Sequence, residues 1–152
     1  MNCVKNRKSL FNALFHFIRL SNIRYICPNI DQSKCDNKDV ITYTDKLSKA
    51  IIRAIRDNMD YFVRYDRIIV YYDSGQLELT RILNSVFNAF FDNVEFRKAL
   101  PRDYKLLQAA DLICTVEMMA NKISFSKSEN DFFHSRRDFN KGILKDILKK
   151  KL

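Results

Sequence analysis

Ile68-Ile69-Val70-Tyr71-Tyr72-Asp73-Ser74-Gly75 is the stretch on which the fold turns. Five β-branched or aromatic residues in a row, without polar alternation, predict a strand covered on both faces, as in a parallel sheet. Asp73-Ser74-Gly75 ends the run, and Leu79, Leu83, Val86, Phe87 and Phe90 then recur at the spacing of an amphipathic helix. Val94-Glu95-Phe96 is a candidate for the next strand. Strand, helix, strand in that order makes an α/β unit with parallel strands and a right-handed crossover.

On the amino-terminal side, Leu10, Phe11, Leu14, Phe15 and Ile18 predict a helix over 7–20. Ile23 to Cys27 predicts a short strand stopped by Pro28, and the polar residues 31–39 a loop. A helix over 43–59 would bury Leu47, Ile51, Ala54 and Ile55 and expose Lys46, Lys49, Arg53 and Arg56, with Thr42 and Asp45 as its capping pair. Beyond Pro101 a helix is expected over 104–121. Ser126 and Glu129 form a capping box for a last helical region that ends in the basic tail Lys145 to Lys151. The whole of 1–152 is expected to form a single domain.

Composition agrees with this order. The 152 residues are 47% hydrophobic and 30% charged, the balance of a globular chain. With Gly 2 and Pro 2, long helices are favoured over a turn-rich all-β fold. Cys3, Cys27, Cys35 and Cys114 make no C-x-x-C pair, and His16 and His134 are far apart, which leaves little for a structural zinc site. His16, on a Phe-rich helix, is expected to be a satisfied core or boundary histidine. No apolar run reaches the ~18 residues of a membrane span, and no cleavage site follows Leu10 to Ile18. A cytoplasmic chain with reduced thiols is expected. The net charge of +9 suits a polyanion partner such as nucleic acid, or else a solubilising surface.

Two carboxylates are the candidates for chemistry. Asp73 lies just past the end of the expected central strand, where open α/β sheets place their ligands, although an Asp there also caps a following helix. Asp111 lies in Leu106-Leu107-Gln108-Ala109-Ala110-Asp111-Leu112-Ile113-Cys114, a helix apolar enough to be buried around most of its circumference. A carboxylate there needs a salt bridge, hydrogen bonds or a metal. Gln108, Asp111 and Thr115 share one helical stripe. Aspartates from different elements suit two-metal phosphoryl chemistry with Mg²⁺ or Mn²⁺, which hard oxygen ligands select. Glu78, Glu117 and Asp31 are weaker ligand candidates. Arg97, Lys98, Arg102 and Lys105, with Arg136, Arg137 and Lys141, are positioned to hold phosphates beside such a centre, or simply to solvate the surface.

Tyr71-Tyr72-Asp73-Ser74-Gly75-Gln76 and Leu107-Gln108-Ala109-Ala110-Asp111-Leu112, with Phe96-Arg97-Lys98, Thr115-Val116-Glu117, Ser128-Glu129 and Phe132-Phe133, resemble the bacterial and phage family called domain of unknown function 3800. The resemblance spans nearly the whole chain. It implies a ribonuclease H-like three-layer fold and a Mg²⁺- or Mn²⁺-dependent nuclease whose acidic residues fall on Asp73 and Asp111. Gln108 would then orient a ligand or water from behind. Members open with strands carrying an Asp-Glu-Ser-Gly motif. Here Met1-Asn2-Cys3-Val4-Lys5 runs almost directly into the first helix, so the resemblance is to the C-terminal portion of that domain, N-terminally truncated. A partner chain or a second copy is then expected to supply the missing strands. The alternative class is a non-catalytic nucleic-acid-binding or protein-interaction module; a non-functional remnant is the third.

Overall fold

The computed structural model describes residues 2–28, 40–73 and 77–152, with side chains from residue 7 in the first helix and from residue 42 in the second. The chain divides into two compact units, Met1–Tyr25 with Tyr104–Leu152, and Ile26–Asp103. The expected loop at 31–39 and the turn at Ser74-Gly75 lie outside the described residues.

The unit of Ile26–Asp103 holds α2 (Val40–Asp57), the short α3 (Met59–Phe62), β1 (Ile68–Asp73), α4 (Leu77–Phe90) and β2 (Val94–Ala99). β1 and β2 pair in parallel, with Ile68 opposite Val94 and Asp73 opposite Ala99, so the expected α/β unit forms. Its core lies between α2 and α4: Ile51, Ile55, Ile82 and Val86 are buried, and Leu47, Phe62, Phe87 and Phe91 close around them. The strand differs from its expectation. No residue of β1 is fully buried and Ile69 is exposed, because the sheet described has two strands and each has a neighbour on one side only. The capping pair fails as well. α2 starts at Val40, which puts Thr42 and Asp45 inside the helix. At its other end Asn58 Nδ2 donates to the Ala54 carbonyl at 2.8 Å, a local bond that competes with continuing the helix.

The other unit is helical. It holds α1 (Asn2–Leu20), α5 (Lys105–Ala120), α6 (Lys127–Phe133), the three-residue α7 (Arg136–Asp138), a π-helical stretch over Phe139–Leu144, and α8 (Lys145–Leu148). α1 packs on α5, and Ile18, Val116, Phe139 and Ile147 are wholly buried among Ala109, Ile113 and Met119. Phe139 meets Phe125 and Phe133 at ring-centroid distances of 5.2 Å each, both tilted steeply edge to face. The capping box forms as expected: Ser126 Oγ accepts from the Glu129 N–H, and Glu129 Oε2 accepts from the Ser126 N–H at 2.8 Å. The strand expected over 23–27 does not form. Tyr25 makes one parallel bridge, to Lys151, with Tyr25 N–H donating to the Lys150 carbonyl and Leu152 N–H to the Tyr25 carbonyl, both at 3.0 Å.

Candidate functional site

Asp73 is the last residue of β1 and is exposed, at the carboxyl end of the parallel pair where the sequence puts it. Beside it, β2 carries Arg97 opposite Tyr71 and Lys98 opposite Tyr72. Arg97 already has partners. Its Nη1 donates to the Tyr71 hydroxyl at 3.1 Å, its guanidinium carbon lies 5.9 Å from the Tyr71 ring centre, and its Nε donates to Glu95, which also accepts from Arg67. The hydrogen bonds from Arg97 and then Arg67 hold the Glu95 carboxyl below its ordinary pKa, and Glu95 in turn raises that of Arg97. Arg97 is therefore fixed on the sheet face by a carboxylate and a tyrosine. Lys98 and Lys105 are exposed, and Arg102 lies 3.6 Å from the Asp103 carboxylate.

Asp111 corrects its expectation. α5 is not buried around most of its circumference: Ala109, Leu112, Ile113 and Val116 form the inner face, whereas Ala110, Asp111, Cys114 and Thr115 are exposed. The Asp111 carboxylate is thus hydrated, and burial places no demand on it. Gln108 is half-buried on the same helix. Thr115 Oγ1 donates to the backbone carbonyl of Asp111 at 2.8 Å, a bond within the helix that leaves the carboxylate out.

Asp73 belongs to one compact unit and Asp111 to the other. Among the described residues, no three His, Cys, Asp or Glu side chains come together as a metal site would need. Of the weaker candidates, Glu78 is exposed beside Arg81 at 3.5 Å and Asp31 lies outside the described residues. Arg136 is drawn into structure: it donates to the carbonyls of Met119, Ala120 and Lys122 at 2.6–3.1 Å and lies 4.8 Å from the centre of the Phe125 ring, closing the end of α5.

Glu117 is the buried charged side chain among the described residues. Its Oε1 accepts from Tyr25 Oη and from Lys151 Nζ, each at 2.7 Å. Burial pushes its pKa up, but the Lys151 and Tyr25 hydrogen bonds prevail and the net shift is downward. It serves as the anchor of the carboxyl-terminal tail. A recess of about 360 Å³ lies in the same unit, lined by Arg19, Asn22, Ile23, Arg24, Asp146, Lys149 and Lys150. The basic tail was its visible trace in the sequence; its pairing with the end of α1 was not.

Comparison of the chain with protein-family models, with curated proteins and with solved structures finds no match. Among the described residues, none of the helices is long and apolar enough to cross a membrane.

Proposed function

We propose that the chain binds nucleic acid, and that it is a cytoplasmic, ribonuclease H-like nuclease domain of the domain of unknown function 3800 type, dependent on Mg²⁺ or Mn²⁺. The observation that carries this reading is the exposed Asp73 at the carboxyl end of a parallel β1-α4-β2 unit, with the exposed Lys98 on the adjoining strand. Ligands of open α/β sheets gather at that end. A charge of +9 favours a polyanion there.

The described side chains do not fit a complete two-metal centre, which needs several convergent carboxylates. In this reading Asp73 and Asp111 contribute to the ligand set, Gln108 orients, Arg97, Lys98, Arg102 and Lys105 contact phosphates, and a partner chain or second copy supplies the rest.

The second reading, a nucleic-acid-binding module without catalysis, is favoured by the exposure of both aspartates. One experiment separates the two. The purified chain is incubated with single- and double-stranded DNA and RNA in Mg²⁺ or Mn²⁺, beside Asp73→Asn and Asp111→Asn, and binding is titrated over a range of salt. Cleavage that both substitutions abolish supports the nuclease. Binding that weakens steeply with salt, without cleavage, leaves the module. Neither cleavage nor binding overturns both.

A further inference from the structure

The recess at the end of α1 carries charge without the carboxylates to cancel it. Arg19, Arg24, Lys149 and Lys150 line it with a single carboxylate, Asp146. Arg19 Nε lies 3.1 Å from Asp146 and Lys149 Nζ 2.7 Å, so two of the cations share that one acid. The other two are held by neutral partners: Arg24 Nη1 donates to the Lys149 carbonyl at 3.0 Å and Lys150 Nζ to the Ser21 carbonyl at 2.6 Å. A carbonyl orients a cation without neutralising it. Arg24 keeps its remaining guanidinium donors without a partner among the described residues, in the fork that matches phosphate oxygens. The walls are also tied together: the Tyr25–Lys151 bridge holds the segment after α1 against the carboxyl-terminal tail. Preorganised cations bind with less ordering cost than loose surface lysines.

We propose that this recess is a binding site for a phosphate monoester. A monoester carries about −1.5 to −2 at pH 7, against one charge for a phosphodiester, so the excess of cations selects the monoester. At about 360 Å³ the recess is within the range of small-ligand pockets and larger than phosphate alone needs. Asn22, with an amide donor and acceptor, and the apolar Ile23 are left for the rest of the ester. The same group occurs on a free phosphorylated metabolite and on the phosphorylated end of a nucleic-acid strand. The proposal is independent of the nuclease reading, since none of the residues given to that reading lines the recess.

Calorimetric titration of the whole chain tests it with adenosine 5′-monophosphate, adenosine, and a short oligonucleotide with a 5′-phosphate or a 5′-hydroxyl. Saturable binding of the monophosphate but not adenosine is expected, weakened about tenfold by Arg24→Gln and by Lys149→Gln and only partly kept in Arg24→Lys, which retains the charge but not the fork. If the 5′-phosphorylated strand binds far more tightly than both the monophosphate and the 5′-hydroxyl strand, the source is a strand end. Equal binding of monophosphate and phosphorylated strand points to a free ester. Circular dichroism and the melting temperature establish that each variant is folded. The proposal is overturned if the monophosphate does not bind, if adenosine binds as well as it does, or if folded Arg24→Gln and Lys149→Gln chains bind as tightly as the parent.

Discussion

Glu117 and Asp111 are six positions apart on one helix, and their fates are opposite. Removing the Glu117 carboxylate leaves the Tyr25 hydroxyl and Lys151 without their shared acceptor. Glu117→Ala is expected to lower stability in urea unfolding by about 1–3 kcal/mol. Asp111→Asn is expected to change it by less than about 0.5 kcal/mol, as suits an exposed position. The carboxylates also set a pH dependence. Glu129 is held down to about 2, first by the Lys122 hydrogen bond and then by those from the Ser126 backbone and hydroxyl. A carboxyl below its ordinary value of 4.5 stabilises the fold above that pH, and the contribution is lost as pH falls toward 2. Glu129→Gln is therefore expected to flatten the decline of melting temperature between about pH 4.5 and 2, relative to the parent chain. The sequence held the means to tell the two acids of α5 apart. Ala109, Leu112, Ile113 and Val116 define the inner face by their spacing, and Glu117, four residues beyond Ile113, lies on its border. Counting apolar residues around Asp111 gave the wrong depth because it ignored that period.

Local signals within elements were legible where one short segment contains both partners. The Ser126–Glu129 box could be read directly, since its two bonds span three residues. Thr42 and Asp45 show the same spacing inside a helix, where the Asp45 N–H already has a backbone acceptor four residues back. Arg136 was unreadable as a cap, for it reaches back 14 to 17 residues to the end of α5. Arg136→Ala is expected to cost about 1–3 kcal/mol in thermal or urea unfolding, and Arg136→Lys to recover only part, because a lysine cannot present several donors in one plane. Gly142 offers a change of the other sign. It lies in the π-helical stretch without a positive φ, and a Cβ there would meet nothing within 4 Å. Gly142→Ala is expected to stabilise the chain by about 0.5–1 kcal/mol, by reducing the freedom of the unfolded state.

At the scale of the molecule there are two cores. One is built on Ile18, Val116, Phe139 and Ile147, the other on Ile51, Ile55, Ile82 and Val86. The apolar run at 68–72 correctly announced a strand and a parallel partner. It overstated the cover, because β-branched and aromatic residues report extended backbone and say little about how many neighbours a strand has. Among the described residues, β1 and β2 form a two-stranded sheet in which no residue of β1 is fully buried, whereas α5 carries six buried side chains. Amide hydrogen exchange is expected to be faster by at least an order of magnitude in β1 than along the inner face of α5, since local opening of the strand exposes less apolar surface. Protection of β1 equal to that of α5 would mean that the sheet is covered in solution by something besides the chain's own helices.

The helical unit is discontinuous along the chain, and synthesis on a ribosome gives that order a cost in time. α1 is made well before α5, and its Phe11, Phe15 and Ile18 pack in a core built largely from α5 and the residues after it. About 100 residues must be added between Leu20 and the end of α5, which at 5–20 residues per second takes roughly 5–20 s. During that interval Ile26–Asp103 has all of its own core residues available, whereas α1 has no native partner. Lys151, which joins Glu117 and Tyr25, follows Asp103 in the chain, so the unit that holds α1 is completed after Ile26–Asp103.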